Sequence, residues 1–318
     1  MIEVENLTKR YGRFVALDAI SFSARQGEIV GFLGPNGAGK TTTMRILTGY
    51  MPPTEGTARV AGCDVVEDSL EMRRHVGYLP ETVRLYRDMT VQGYLRFVAQ
   101  LRGVNGARER VAEVLELVGM TERAHSLVRS LSKGMQQRIG LAQAIVHDPE
   151  VLILDEPTIG LDPHQVQDLR ALVRDLGLSH TVLLSTHILS EAEQICDRVI
   201  ILDRGRIVAE DTPDRLRENL NRGGRLFLRV GERASPQEVL RVVQAVPGVE
   251  EVEALREGYI ISVRRSIDVR PALAAAVVGH SMELLELRPW ATTLEEIFLD
   301  VTTRLGQEPA KRGGRIHA

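Results

Sequence analysis

The sequence predicts an α/β domain with a mixed sheet, an antiparallel β portion and a helical insertion, followed by a small α+β domain of βαββαβ order. Three observations carry that reading. The apolar burst "EIVGFLG" runs straight into a glycine loop and then into the helical "KTTTMRILTGY", the order in which a buried strand delivers a loop and a helix. Two more apolar runs of the buried parallel type, "VLILDE" and "TVLLSTH", flank the amphipathic "PHQVQDLRALVRDLG". At "RENLNRGG" the composition changes, and a new series of apolar runs begins.

Taken in order, "IEVENLTKRYG" and "VALDAISFSA" alternate polar and apolar residues between turns at Tyr11-Gly12 and Gln26-Gly27, which predicts antiparallel strands. From Glu81 to about Gly119 helical spacing takes over, with Val111, Leu115 and Val118 on one face, so a helical part spans about 81–140. A further helix starts at Ser132, anchored by Met135, Ile139, Ala142 and Val146. Asp162 followed by Pro163 is an N-cap with proline at the first helical position. The hairpin "RVIILDRGRIVAE" closes the sheet near Asp211. These readings place a first domain at 1–218, a linker at 219–225, a second domain at 226–305 and a disordered tail at 306–318. In the second domain, strands "RLFLRV", "VEEVEAL", "YIISVRR" and "MELLELRP" alternate with helices "SPQEVLRVVQAV" and "VRPALAAAVVG". A last helix is expected from Thr293, which has capping-box spacing to Glu296; Leu294, Ile297, Phe298 and Val301 form its apolar face.

The 318 residues, 43% of them hydrophobic, supply a core for each domain. Net charge is −3 and the basic residues are spread along the chain, so no nucleic-acid surface is expected. Cys63 and Cys196 lie far apart, without the spacing of a zinc site or redox motif, which fits a reducing cytoplasm. No apolar run approaches the roughly 18 to 20 residues that cross a bilayer, and "MIEVENLTKR" has no signal-peptide segment. Any membrane role is then expected to be peripheral, on the inner face of the plasma membrane.

Gly34-Pro35-Asn36-Gly37-Ala38-Gly39-Lys40-Thr41 fits the G-x-x-x-x-G-K-[ST] pattern in full, with Thr42 next in the helix. Its glycines let backbone N–H groups face phosphates, Lys40 reaches the β and γ phosphates, and the Thr41 hydroxyl is placed to ligate Mg²⁺. In "VLILDE", Asp155 ends a buried strand as the magnesium partner, and Glu156 is placed to orient and deprotonate water. Asparagine followed by lysine, part of the usual guanine-reading motif, occurs nowhere, which argues for ATP as the nucleotide. In "LSKGMQQR", Ser132 and the amide of Gly134 open a helix start toward whatever lies opposite. The same features also fit an N-capped helix with no ligand.

With these motifs the sequence resembles the ATP-binding cassette (ABC) family over about its first two-thirds, and the expected fold is an ABC-type P-loop ATPase domain. In that family the signature usually reads Leu-Ser-Gly-Gly-Gln and serves the ATP held by the other subunit. The resemblance therefore implies that Ser132, Lys133, Gly134 and Met135 act in trans, in a head-to-tail ATP-sandwich dimer. It also implies that Tyr11 stacks on adenine, although Tyr11-Gly12 is equally a hairpin turn. Asp162 matches the loop that crosses the dimer, or is simply the helix cap, and His187 in "STH" matches the switch histidine that contacts the γ-phosphate. Three positions depart from the family: Lys133 and Met135 within the signature, and Glu81 in "GYLPE", where glutamine is usual. A lysine beside a trapped γ-phosphate is electrostatically favourable. A carboxylate there is repelled unless magnesium intervenes, so Glu81 is expected either to join Thr41 and Asp155 at Mg²⁺ or to face the membrane partner.

"LSKGM", "GYLPE" and "TLEEIFLD" together resemble the ATPase subunits of the type-2 exporter group. This implies a multi-span membrane permease as partner. An ABC ATPase acting on nucleic acid or the ribosome, without a membrane partner, is the alternative. The second domain is expected to stabilise the dimer or to sense a ligand.

Overall fold

The computed structural model describes residues 1–216, 225–231, 234–255, 257–264 and 268–290. The chain divides into two compact units, Met1–Pro213 and Asp214–Ala318.

In the first unit, β1 (Ile2–Tyr11) and β2 (Phe14–Ala24) pair antiparallel, with Tyr11 opposite Phe14 across the turn. Ile2 and Val4 are buried while Glu3 and Glu5 face out, the alternation of a sheet with one dry face. Then β3 (Ile29–Leu33) is buried at every residue and leads through the glycine loop into α1 (Lys40–Leu47). The next elements, β4 (Glu55–Val60), β5 (Cys63–Asp64), α2 (Ser69–Met72) and β6 (Val76–Leu79), stand in a stretch for which the sequence pattern predicts no element. They are short, and Gly56, at φ +81 and packed onto Asn6, interrupts the alternation at the start of β4. The first two strands join β4 and β5 in an antiparallel sheet ordered β2-β1-β4-β5.

The helical part holds α3 (Val91–Leu101), whose N-cap Thr90 accepts from the Gly93 amide, and α4 (Ala107–Leu117). Val111, Leu115 and Val118 are all buried, as their spacing predicts. The helix predicted from Ser132 is α5 (Lys133–Ile145), capped by Ser132, which accepts from the Met135 amide. It is not one-sided: Gly134, Gln137, Gly140 and Leu141 are buried as well as Ile139 and Ala142, and Met135 is only half-buried. A methyl on Gly140 would stand 2.7 Å from Leu79 and 2.8 Å from Val83, so the backbone comes close enough to neighbouring side chains to bury this side too.

After it come β7 (Val151–Asp155), α6 (Pro163–Gly177), β8 (Thr181–Thr186), α7 (Leu189–Ile195), β9 (Arg198–Asp203) and β10 (Arg206–Asp211). The second sheet is ordered β10-β9-β3-β8-β7-β6; β9, β3, β8, β7 and β6 run parallel, and only the β10 edge is antiparallel. A single apolar core joins both sheets and α1, including Ile2, Leu17, Phe22, Phe32, Met44, Ile153 and Ile200. Because β3, β7 and β8 are parallel neighbours, their C-terminal ends lie along one edge of the sheet, and the glycine loop, Asp155-Glu156 and His187 all follow those ends.

Glu28 and Arg198 brace the opposite end of β3 through a bidentate pair of 2.7 and 3.0 Å. Burial opposes the charge on Glu28, but the Arg198 hydrogen bonds, the Arg25 backbone amide and both guanidinium charges outweigh it and hold the carboxyl below its ordinary range. A depressed folded-state carboxylate contributes stability that is fully present above the unfolded value, about 4.3, and is lost as pH falls through the folded value. Glu28→Gln is expected to cost about 1 kcal/mol at neutral pH after solvent screening. Urea melts of both proteins should then converge as the pH is lowered below that of ordinary carboxylates.

The second unit contains β11 (Arg225–Val230), α8 (Pro236–Gln244), β12 (Val249–Leu255), β13 (Gly258–Val263), α9 (Arg270–Gly279) and β14 (Leu284–Pro289). Its antiparallel sheet is ordered β12-β13-β11-β14. Val239 and Val243 of α8 and Leu273 and Val277 of α9 pack with Leu228 and Ile261 of the sheet. The expected helix from Thr293, the tail at 306–318 and the linker residues 219–224 lie outside the described residues.

Candidate functional site

The glycine loop is shaped by close approach. A side chain on Gly34 would collide with the Leu202 carbonyl, and Gly39, at φ +112, stands against Leu17 and the Ala16 carbonyl. Ala38 is buried beneath the loop. Lys40, 6% exposed, donates to the Gly34 carbonyl at 2.7 Å, and its Nζ lies 3.3 Å from Glu156 Oε1. The second Glu156 oxygen is 2.7 Å from His187 Nδ1. This carboxylate is therefore held between an ammonium and an imidazole.

Glu156 has φ +49, in the left-handed region that disfavours a residue with a side chain. Its amide donates to the Ser185 carbonyl at 3.1 Å and the Ser185 hydroxyl at 3.0 Å, which hold the turn against that strain. Ser185 also donates to Asp155 Oδ1 at 2.5 Å, its partner across β7 and β8. The Thr41 hydroxyl reaches the same oxygen at 3.4 Å. Burial pushes the Asp155 carboxyl up; the Ser185 and Thr41 hydrogen bonds oppose that, and the charges of Glu156 and Glu81 add to it. Its Oδ2 is buried with no hydrogen-bond partner. An orphaned buried carboxylate oxygen beside a hydroxyl and a second carboxylate fits a divalent cation. Among the described residues no group of three or more His, Cys, Asp or Glu is placed to hold a metal unaided, so oxygens of water or of a bound ligand would have to complete the coordination.

A cavity of about 530 Å³ gathers Tyr11, Phe14, Pro35, Asn36, Gly37, Gly39, Lys40, Thr41, Thr42, Glu81, Glu156 and His187. A neighbouring cavity of about 460 Å³ is lined by Thr41, Glu81 and Asp155 together with Arg45, Tyr50, Tyr78 and Arg84. Glu81 thus borders both. Tyr11 is 46% exposed, its hydroxyl 3.1 Å from Met51 Sδ. Two residues here are absent from the sequence reading. Phe14 makes the aromatic wall double, and its signal is an aromatic on each side of the first hairpin turn. Ser185 is signalled only by its place two residues before His187.

The signature residues Ser132, Lys133, Gly134 and Met135 line neither cavity, and neither does Asp162. Ser132 is exposed at the start of α5, whereas Gly134 is buried on its Cα side, where a side chain would meet the Gln165 amide of the same chain. Lys133 lies across Gly160, so that a side chain on Gly160 would collide with its Nζ. Asp162 and Gln165 form a full capping box at the start of α6. The signature and the Gly160–Gln165 loop interlock, each offering a glycine to the other's long side chain.

Among the described residues no helix is long and apolar enough to cross a membrane. The sequence profile of the family described as "ABC transporter" matches residues 17–159. The chain is 34% identical over 309 residues to the linearmycin resistance ATP-binding protein LnrL of Bacillus subtilis (strain 168), covering 96% of this chain and 99% of that one. It is 33% identical over 301 residues to the bacitracin transport ATP-binding protein BcrA of Bacillus licheniformis, covering 94% and 96%. Among solved structures it resembles the dimeric post-hydrolysis state of the ATP-binding cassette MJ0796 bound to ADP and Pi, with 26% identity, a TM-score of 0.61, and coverage of 67% of this chain and 98% of that one.

Proposed function

The chain belongs to the ABC transporter ATP-binding proteins and is an ATP hydrolase, and from that premise we propose that it powers export through a separate multi-span membrane permease by closing, with a second copy, around two ATP molecules. The observation that carries this reading is the Glu156 carboxylate held between Lys40 and His187 at the mouth of the glycine loop. Lys40 shifts its donors from Gly34 and Glu156 to the β and γ phosphates. Glu156 then takes a proton from water as it attacks in line, and His187, on its other side, steadies the γ-phosphate. Mg²⁺ held by Thr41 and Asp155, with Glu81 at its border, supplies charge neutralisation on the phosphates. Tyr11 takes the adenine face.

Ser132 and Gly134 act on the ATP of the other subunit, with Lys133 and Met135 beside them and Asp162 in the loop that crosses the interface. Each nucleotide then touches both subunits, and closure is favoured by the difference in its affinity for the closed and open states. Release of phosphate reopens the pair. The protein works on the cytoplasmic face of the membrane, and its second unit stabilises the dimer. Resistance to linearmycin and transport of bacitracin, named for the two relatives, support export.

Glu81 borders both cavities, so Glu81→Ala is expected to lower ATP turnover or transport by roughly tenfold; both unchanged in reconstituted vesicles would remove it from both proposed roles. The proposal as a whole is tested by purifying the tagged chain from its native membranes and identifying what accompanies it by mass spectrometry. A stoichiometric multi-span protein is expected. A soluble or ribosomal partner with no membrane protein would overturn it.

A further inference from the structure

Glu191, on α7, is 3% exposed, yet it carries a carboxylate with partners from three separate segments. Its Oε2 accepts from the Thr158 hydroxyl at 2.7 Å and from the Thr186 hydroxyl at 3.2 Å. Its Oε1 lies 3.4 Å from an Arg170 guanidinium nitrogen. Thr158 follows Glu156 by two residues, Thr186 immediately precedes His187, and Arg170 stands on α6 behind the Asp162 cap.

A buried carboxylate is costly unless it is hydrogen-bonded and paired, so these partners are bound to it as firmly as it is to them. Thr186 Oγ1 also accepts from the Ile188 amide at 3.0 Å, which fixes the turn on which His187 sits. On the other side, Glu156 occupies a strained left-handed conformation that persists only where its surroundings over-determine it. Ser185 fixes the Glu156 amide from one side; the Thr158–Glu191 bond fixes the following chain. Glu191 itself makes no hydrogen bond or ion pair with Glu156 or His187. It ties down the flank of each.

We propose that Glu191 is a positioning residue for ATP hydrolysis: through Thr158 and Thr186 it holds Glu156 and His187 in register, and through Arg170 it couples that register to the helix behind the Asp162 loop. The inference rests on the reading of Glu156 and His187 as the hydrolytic pair. Because Glu191 binds no nucleotide, its loss acts on the chemical step and not on ATP affinity.

The test is steady-state Mg-ATP hydrolysis by the full-length chain. Glu191→Ala is expected to lower kcat by about 10- to 100-fold with KM changed by less than about threefold. Glu191→Gln keeps an oxygen for the two hydroxyls and should recover most of that loss. Thr158→Val, which removes a hydroxyl bonded to Glu191, should lower kcat in the same sense, and adding it to Glu191→Ala should cost little more, because both remove the same tie. Thr186→Val should also lower kcat, but it removes the Ile188 acceptor as well. A parental kcat in Glu191→Ala and Thr158→Val, or a raised KM at unchanged kcat, would overturn the proposal. So would a loss that follows thermal melting and is not recovered by Glu191→Gln. If Glu191→Ala does not fold, Thr158→Val decides: lowered kcat at unchanged KM supports the tie, and parental kcat overturns it. Glu156→Gln separates the two levels: parental turnover there removes the hydrolytic reading and this inference with it, whereas lost turnover beside parental Glu191 variants removes only the inference.

Discussion

Glu156→Gln is expected to cut ATP turnover by about 10²- to 10⁴-fold, the usual contribution of a general base, while ATP stays bound. The glutamine fills the same space in a buried position 6% exposed, and its oxygen still faces Lys40 or His187. What it cannot do is take the proton of the attacking water. Phosphate release and nucleotide retention measured on the same sample check both halves. A variant that hydrolyses at the parental rate would remove Glu156 from the role of base.

Lys40→Ala is expected to do the opposite to affinity. In the proposed role Lys40 offers the phosphates a charge-assisted donor, and each such bond contributes roughly 1.5 to 3 kcal/mol, so ATP affinity should fall by about 10- to 150-fold. A second consequence follows from the same proposed contact: without the ammonium, charge developing on the transferring phosphoryl group loses a cation, so turnover at saturating ATP falls too. Equilibrium binding of a fluorescent ATP analogue separates the two variants. Glu156→Gln should bind like the parent, and Lys40→Ala should bind weakly. Equal, parental binding by both would place the phosphates elsewhere than the glycine loop.

Much of this site is legible in the sequence because its residues are fixed by local chemistry. Gly34 and Gly39 stand where a side chain would collide with Leu202 or Leu17, and a backbone demand of that kind shows as a spaced glycine pattern. Asp162-Pro163 declares a helix start through the cap and the fixed proline φ, and the capping box is there. The βαββαβ order of the second unit follows from apolar runs whose period switches between two and 3.6. What periodicity does not carry is contact between elements distant in the chain. Nothing local marks Gly134 as lying under Gln165, or Lys133 as lying across Gly160. The all-round burial of α5 is set by elements on several sides, so a one-face reading of Met135, Ile139, Ala142 and Val146 captures only part of it. Ser185 looks like one more strand residue until β7 and β8 are set in register, when it comes to face Asp155. Nothing in the sequence pattern singles out Glu191, which only the fold buries among Thr158, Thr186 and Arg170.

The interlock also bears on how a closed dimer would respond. Because Lys133 and Gln165 join the signature to the loop that Asp162 caps, a nucleotide gripped by Ser132 and Gly134 would push on both segments together. The Arg170–Glu191 contact lies behind that loop on the same helix.

Closure of two copies of this chain on ATP is tested by the solution mass of Glu156→Gln, measured by light scattering with and without Mg-ATP. The 35.3 kDa chain is expected to run at one copy without nucleotide and at two copies with it, returning to one in a Glu156→Gln, Ser132→Arg double variant whose signature cannot approach the partner's phosphates. A mass that does not respond to ATP, or a dimer that survives Ser132→Arg unchanged, would contradict it.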